Sequence, residues 1–283
     1  MRTAFFSPVS NRGVDAMRGP CRFKADAYDR LLSLPCSGWA WEFKRRDPAL
    51  RFARRRAGAV IARAATRADG STIYRLTQRC HVAEHFGLHF IPDPSLSAFD
   101  AAPFWLPETM SARFEAAIDA EMSGINGARR FHWTDLPGEK IFLVAPGRRD
   151  KLVIRATGYM AQIALNGDGA LIPQSALFSL TLGADQLAAE SLRHLKEFGR
   201  VCRGLATRRT PPRGASPQKL RDALIALDGA LARLSRRQIA EAIYGAEVVK
   251  DDWENGIHSY KQRTKRLVDK GLALMTSGYR RLL

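Results

Sequence analysis

The apolar residues of this chain change their period, and that change limits what it can fold into. Between Lys140 and Gly183 they come in short runs, KIFLVA, KLVIRA, MAQIAL, ALIP and SALFSLTLG, interrupted by PGRRD and NGDG. Short runs separated by Gly, Pro and Asp turn residues read as strands joined by hairpins. From Ala184 the spacing becomes three or four residues. Leu187, Leu192, Leu195, Phe198, Val201, Cys202 and Leu205 fall on one side of a helix, and Leu220, Leu224, Leu227 and Leu231 repeat the pattern beyond the connector TRRTPPRGASP.

Upstream, AYDRLLSLPCSGWAWEFKRRDPALRFARRR reads as short helices. Trp39, Trp41 and Phe43 are expected in their core, while Lys44, Arg45, Arg46, Arg51, Arg54, Arg55 and Arg56 form a basic face. IPDPSLSAFDAAPFWLPE, with four prolines, reads as an extended connection that buries Phe104 and Trp105. The expected fold class is α+β, with a helical N-terminal module, a small antiparallel β-sheet centre and a C-terminal all-α helix-turn-helix domain. The expected boundaries are 1–24 (irregular N-terminus), 25–108, 109–183 and 184–283.

Charge is distributed unevenly over this plan. The net charge is +17, and it divides into +9 over residues 1–70, −3 over 71–190 and +11 over 191–283. A field of that size favours polyanionic partners such as nucleic acid, and two basic ends around a slightly acidic middle suggest different tasks for them. Cys21, Cys36, Cys80 and Cys202 are scattered without C-x-x-C pairing, as in a reducing compartment. No window approaches the roughly 20 apolar residues of a membrane span. A cytoplasmic location, at the bacterial nucleoid, is therefore expected, with no membrane partner.

The C-terminal segment is the most legible. Ser235-Arg236-Arg237-Gln238 fits a capping box ahead of Ile239 and Ile243, and Gly245 stands where a left-handed cap would end that short helix. AEVVKDDWENGIH reads as a connector, after which Ser259 caps SYKQRTKRLVDKGLALM. On that last helix Tyr260, Thr264, Leu267, Val268, Gly271, Leu272 and Met275 share one side. Gln262, Arg263 and Arg266 point away as candidate base readers, with Lys261, Lys265 and Lys270 as phosphate contacts. Ser259 joins this set at the helix start, and Arg236 and Arg237 brace the backbone from the preceding helix.

The pieces RRQIAEAIYG, Trp253 after an acidic pair, RTKRLVDKGLALM and GYRRLL together resemble the RovC-type DNA-binding domain, over roughly residues 190–283. The stretch from AYDRLLSLPCSGWAW to FWLPE is similar to the regulator-like domain that often precedes it. The two-part arrangement resembles the frameshifted excision activators of integrative and conjugative elements. The resemblance implies a bacterial transcription factor, in some members an activator of excision, transfer or type VI secretion genes. Its implied partners are double-stranded promoter or operator DNA, RNA polymerase, a second copy of the chain as a homo-oligomer, and in some relatives an antiactivator protein.

CHVAEHFGLH (80–89) contains H-x-x-E-H, a spacing that can hold zinc with His81 and His85 while Glu84 acts as base. No downstream Cys/His cluster completes it, and no phosphate-loop, dinucleotide or nucleophile-elbow motif occurs. No catalytic residue, metal or cofactor is therefore assigned. The alternatives are a protein-interaction module that binds another regulator, and a nucleic-acid-processing enzyme.

Overall fold

The computed structural model describes residues 25–56, 62–110, 114–119, 134, 136–156, 158–166, 177–181, 189–205, 216–254 and 259–283. The helical N-terminal part comprises α1 (Asp26–Asp29), a 3-10 turn at Arg30–Ser33, α2 (Cys36–Lys44) and α3 (Pro48–Arg56). Strands β1 (Ala62–Thr66) and β2 (Thr72–Leu76) follow, then the short α4 (His81–His85). Next come β3 (Phe114–Asp119), β4 (Glu139–Val144), β5 (Lys151–Ala156), β6 (Tyr159–Asn166) and β7 (Leu177–Thr181). Five helices close the described chain: α5 (Ala189–Cys202), α6 (Pro217–Leu231), α7 (Arg236–Tyr244), α8 (Ala246–Glu254) and α9 (Ser259–Thr276), the last followed by a 3-10 turn at Gly278–Leu282. No helix among the described residues is long and apolar enough to cross a membrane.

The α+β class and the helical C-terminal region are as the sequence indicates, but the sheet differs in size and pairing. It has seven strands in the order β1-β2-β4-β5-β6-β3-β7. Most pairs are antiparallel, including the expected β4–β5 hairpin around residues 145–150, whereas β2–β4 and β3–β6 are parallel. The β2–β4 parallel pair arises because β1 and β2, from the stretch read as helical and regulator-like, add to the sheet beside β4, and the β3–β6 pair because β3 adds beyond β6 at the other side. A hairpin not expected from the sequence joins β5 to β6 through Gly158, whose φ of +71° suits a tight turn, while the one expected around NGDG falls largely outside the described residues. The strand expected at ALIP (170–173) and the helical position of Leu187 lie outside the described residues, as does most of the connector 207–217.

Side-chain parity explains why the central strands are almost continuously apolar. Phe142, Leu152, Ile154, Ile163 and Leu165 face α5 and pack with Phe198 and Val201. Ile141, Leu143 and Val153 face the other way, under Phe90 and under Ala102 and Phe104 of the proline-rich connection. A sheet covered on both faces loses the alternation of a half-solvated one. Gln162 pins the connection down, its amide donating to the Trp105 carbonyl at 2.7 Å and accepting from the Trp105 N–H at 3.0 Å.

The largest core is helical and joins segments far apart in sequence. Trp39, Trp41, Phe43 and Leu50 from α2 and α3 pack with Leu88 and Trp105, with Leu220, Leu224 and Leu227 of α6, and with Met275, Tyr279 and Leu282 at the C-terminal end. The aromatics of α2 are fully buried. Lys44 and Arg46, expected on a basic face, are buried too. Arg46 donates to both carboxylate oxygens of Asp228 in α6, at 2.6 and 2.8 Å, and to Glu42 at 2.7 Å. Charge composition alone did not distinguish such a paired interior guanidinium from a solvated one.

Candidate nucleic-acid interface

Four helices build the C-terminal surface, and local sequence sets each boundary. Ser216 caps α6, its hydroxyl accepting from the Lys219 N–H at 3.3 Å. The expected capping box opens α7: the Ser235 N–H donates to Gln238 Oε1 at 2.9 Å and the Gln238 N–H to Ser235 Oγ at 3.2 Å. Gly245 ends α7 with φ +95°, but its ψ of 148° is extended rather than left-handed helical.

The stretch read as a connector is α8. Ala246 to Glu254 contains no Gly or Pro, and Val249 gives it a fully buried contact. The absence of breakers between Gly245 and Asn255 was the signal available in the sequence. Asp252 of α8 performs the capping assigned to Ser259. Its carboxylate accepts from the N–H groups of Ser259 and Tyr260, at 3.3 and 3.1 Å, and from the Ser259 hydroxyl at 2.9 Å. The Ser259 proton is thereby committed inside the protein.

The crossing of α9 over α6 depends on Gly271. A Cβ there would sit 2.6 Å from the Ala223 carbonyl oxygen and 2.9 Å from Leu227 Cβ, so only glycine permits this approach. Thr264 and Met275 are buried on the same side, Leu267 is half-buried, and Leu272 is exposed, at the margin of the apolar stripe.

The opposite side of α9 exposes Lys261, Gln262, Arg263, Lys265 and Arg266. Lys261, Gln262, Lys265 and Arg266 make no hydrogen bond or ion pair among the described residues. Arg263 lies over the Tyr260 ring, 5.5 Å from its centroid, and that ring packs on Tyr244 at 4.7 Å. Lys270 is half-buried, and burial followed by the nearby Lys219 holds its amine below the ordinary lysine value. On α7, Arg236 and Arg237 are exposed, but Arg237 is tied to Glu241 at 2.9 Å. By contrast, α8 exposes Glu247 and Asp251 alongside Lys250. Phosphate favours α9 over α8.

Within H-x-x-E-H it is Glu84 that serves the fold. Glu84 accepts from Arg79 at 2.8 and 3.0 Å and from Arg148 at 3.2 Å, joining α4 to the β4–β5 turn. His81 and His85 are exposed. Burial, with Lys151 and Arg148 nearby, pushes His89 down to about 3, so its ring is neutral at physiological pH.

The α6–α9 helices, with the long basic α9 on the outside, form a helical module of a kind that suits nucleic-acid binding. Residues 180–283 match the model of the RovC DNA-binding domain family, described as a type VI secretion system transcription factor DNA-binding domain. No curated protein matches the chain.

Proposed function

We propose that the protein is a sequence-specific transcriptional regulator whose α9 enters the major groove. The observation that carries this reading is the unopposed row Lys261, Gln262, Arg263, Lys265 and Arg266 on the exposed side of α9, beside an α8 whose outer side is mainly acidic. Arg266, Arg263 and Gln262 are the base readers, because Arg pairs with guanine O6/N7 and Gln with adenine N6/N7. Lys261 and Lys265 meet phosphates, and Arg236 meets the backbone from the start of α7. Arg237 and Lys270 are secondary contacts, one shared with Glu241 and the other half-buried. Ser259, whose hydroxyl donates to Asp252, marks the start of α9 and is a minor member of the set.

One such helix contacts few base pairs, so binding as a homo-oligomer on repeated half-sites follows. The matched family's description as a type VI secretion transcription factor domain favours control of secretion genes, and the resemblance to excision activators favours an activator, of those or of mobile-element genes, acting with RNA polymerase. Genome-wide recovery of bound DNA tests the reading, with Arg263→Ala/Arg266→Ala in parallel. Discrete peaks that vanish in the double variant are expected. Enrichment unchanged by the substitutions would remove α9 from the reading role.

A further inference from the structure

The C-terminal end of α9 is held by a residue outside the matched domain. The last carbonyls of any helix lack intrahelical donors and carry the negative end of the helix dipole. In α9 that end meets Lys44, the final residue of α2. Its ammonium lies 3.2 Å from the Thr276 carbonyl oxygen, 3.5 Å from that of Met275 and 2.7 Å from Asp47. The rings of Phe86 and Tyr279 cover it, with centroids at 4.9 and 4.7 Å.

The following turn is fastened to the same module. The Tyr279 hydroxyl donates to the Phe86 carbonyl at 2.9 Å, the Tyr279 ring packs against Trp105 at 5.6 Å, and Arg280 donates to the His85 carbonyl at 3.4 Å. The other end of α9 is fixed by Asp252. A rod fixed at both ends has a defined tilt. Released at the Lys44 end, α9 can pivot about its close crossing with α6 at Gly271; Arg263 lies roughly 12 Å along the axis from Gly271, so a tilt of about 10° would move its backbone by about 2 Å, with α8 and its Asp252 cap following. That displacement exceeds the tolerance of a bidentate contact to a base edge.

We propose that Lys44 is a positioning residue for the reading helix, and that the N-terminal helical module is part of the unit that discriminates between DNA sequences. The inference rests on the reading of α9 as the DNA-contacting helix. Lys44 itself touches no DNA. Its loss acts on the geometry of the base readers while leaving Lys261, Lys265 and Arg236 free to meet phosphates. Sequence discrimination is therefore lost, and salt-dependent binding to arbitrary DNA is retained.

The test uses full-length protein, duplexes enriched by the wild type from a random-sequence pool, and unselected duplexes as reference. The variants are Lys44→Met, Tyr279→Phe and the control pair Arg263→Ala/Arg266→Ala. For Lys44→Met the affinity ratio of enriched to unselected duplexes is expected to fall about ten-fold or more, with an unchanged salt slope on unselected DNA. Tyr279→Phe, which removes one hydroxyl, should show a smaller fall in the same direction, and it decides the matter if Lys44→Met does not fold. A wild-type ratio in a folded Lys44→Met, or in Tyr279→Phe when Lys44→Met is unfolded, would overturn the proposal. If the control pair keeps the wild-type ratio, the reading of α9 itself fails and the proposal falls with it. If only the control pair loses discrimination, that reading stands and the positioning role does not.

Discussion

The guanidinium of Arg46 donates to both carboxylate oxygens of Asp228, at 2.6 and 2.8 Å, across 182 residues of sequence. The pair joins the end of α2 to α6 inside the protein, and Tyr28 adds a hydroxyl donor to Asp228 at 2.8 Å. Burial alone would lower the Arg46 value, but Asp228 and Glu42 more than offset it and hold the group above the ordinary arginine range.

Asp228→Ala should therefore destabilise the whole chain. Removing one partner of a buried ion pair typically costs about 3–5 kcal/mol, because the other charge remains buried. Arg46→Met combined with Asp228→Leu should recover only part of that loss, because the buried Glu42 then loses its Arg46 partner. Urea denaturation of the single and double variants measures both, and a single variant within about 0.5 kcal/mol of wild type would contradict the buried role.

Glu42 gives the same junction an acid limit. Burial pushes its carboxyl up, but Arg45 and Arg46 overcome that effect and leave it below the ordinary value of 4.5. A group with a depressed folded value contributes its full stability above the unfolded value and loses it as pH falls through the folded one. Wild type should thus lose stability as pH drops below 4.5, and Glu42→Gln, although less stable at neutral pH, should show a flatter acid limb. Thermal melts across that range would expose the opposite trend.

Gly271→Ala should separate α6 from α9. The added methyl would lie 2.6 Å from a backbone oxygen, which has no rotamer with which to move away. A cost of about 1–3 kcal/mol is expected for such overpacking, with reduced DNA affinity. A melting temperature equal to wild type would show that the crossing is looser than this contact implies.

Much of this arrangement was legible in the sequence. The capping box at Ser235, the stripe of α6, the basic side of α9 and the β4–β5 hairpin each follow from local chemistry. The misreadings concern long-range partners. Lys44 and Arg46 have the composition of a surface run, and only Asp228 and the end of α9 make them interior residues. Asp252 reads as one of an acidic pair in a loop, until the return of the chain places Ser259 and Tyr260 beside it. The parallel partners of β2 and β3 are likewise set by distant segments, whose strands carry no local mark of pairing order.

On α9, phosphate contacts and base contacts should separate cleanly. Lys261→Ala should weaken binding to all duplexes alike and reduce the slope of log K against log salt by about 0.9. Arg266→Ala should instead cost about 1–3 kcal/mol of discrimination at particular base pairs. Titrations at several salt concentrations distinguish the two patterns.

The most direct test of α9 as a major-groove reader is methylation interference on an enriched duplex, in which guanine N7 and adenine N3 report on the major and minor grooves respectively. Methylated guanine N7 at defined positions should block the wild-type protein, and Arg266→Ala should become indifferent at one position of each half-site. Interference confined to adenine N3, or a guanine pattern identical in wild type and Arg266→Ala, would contradict it.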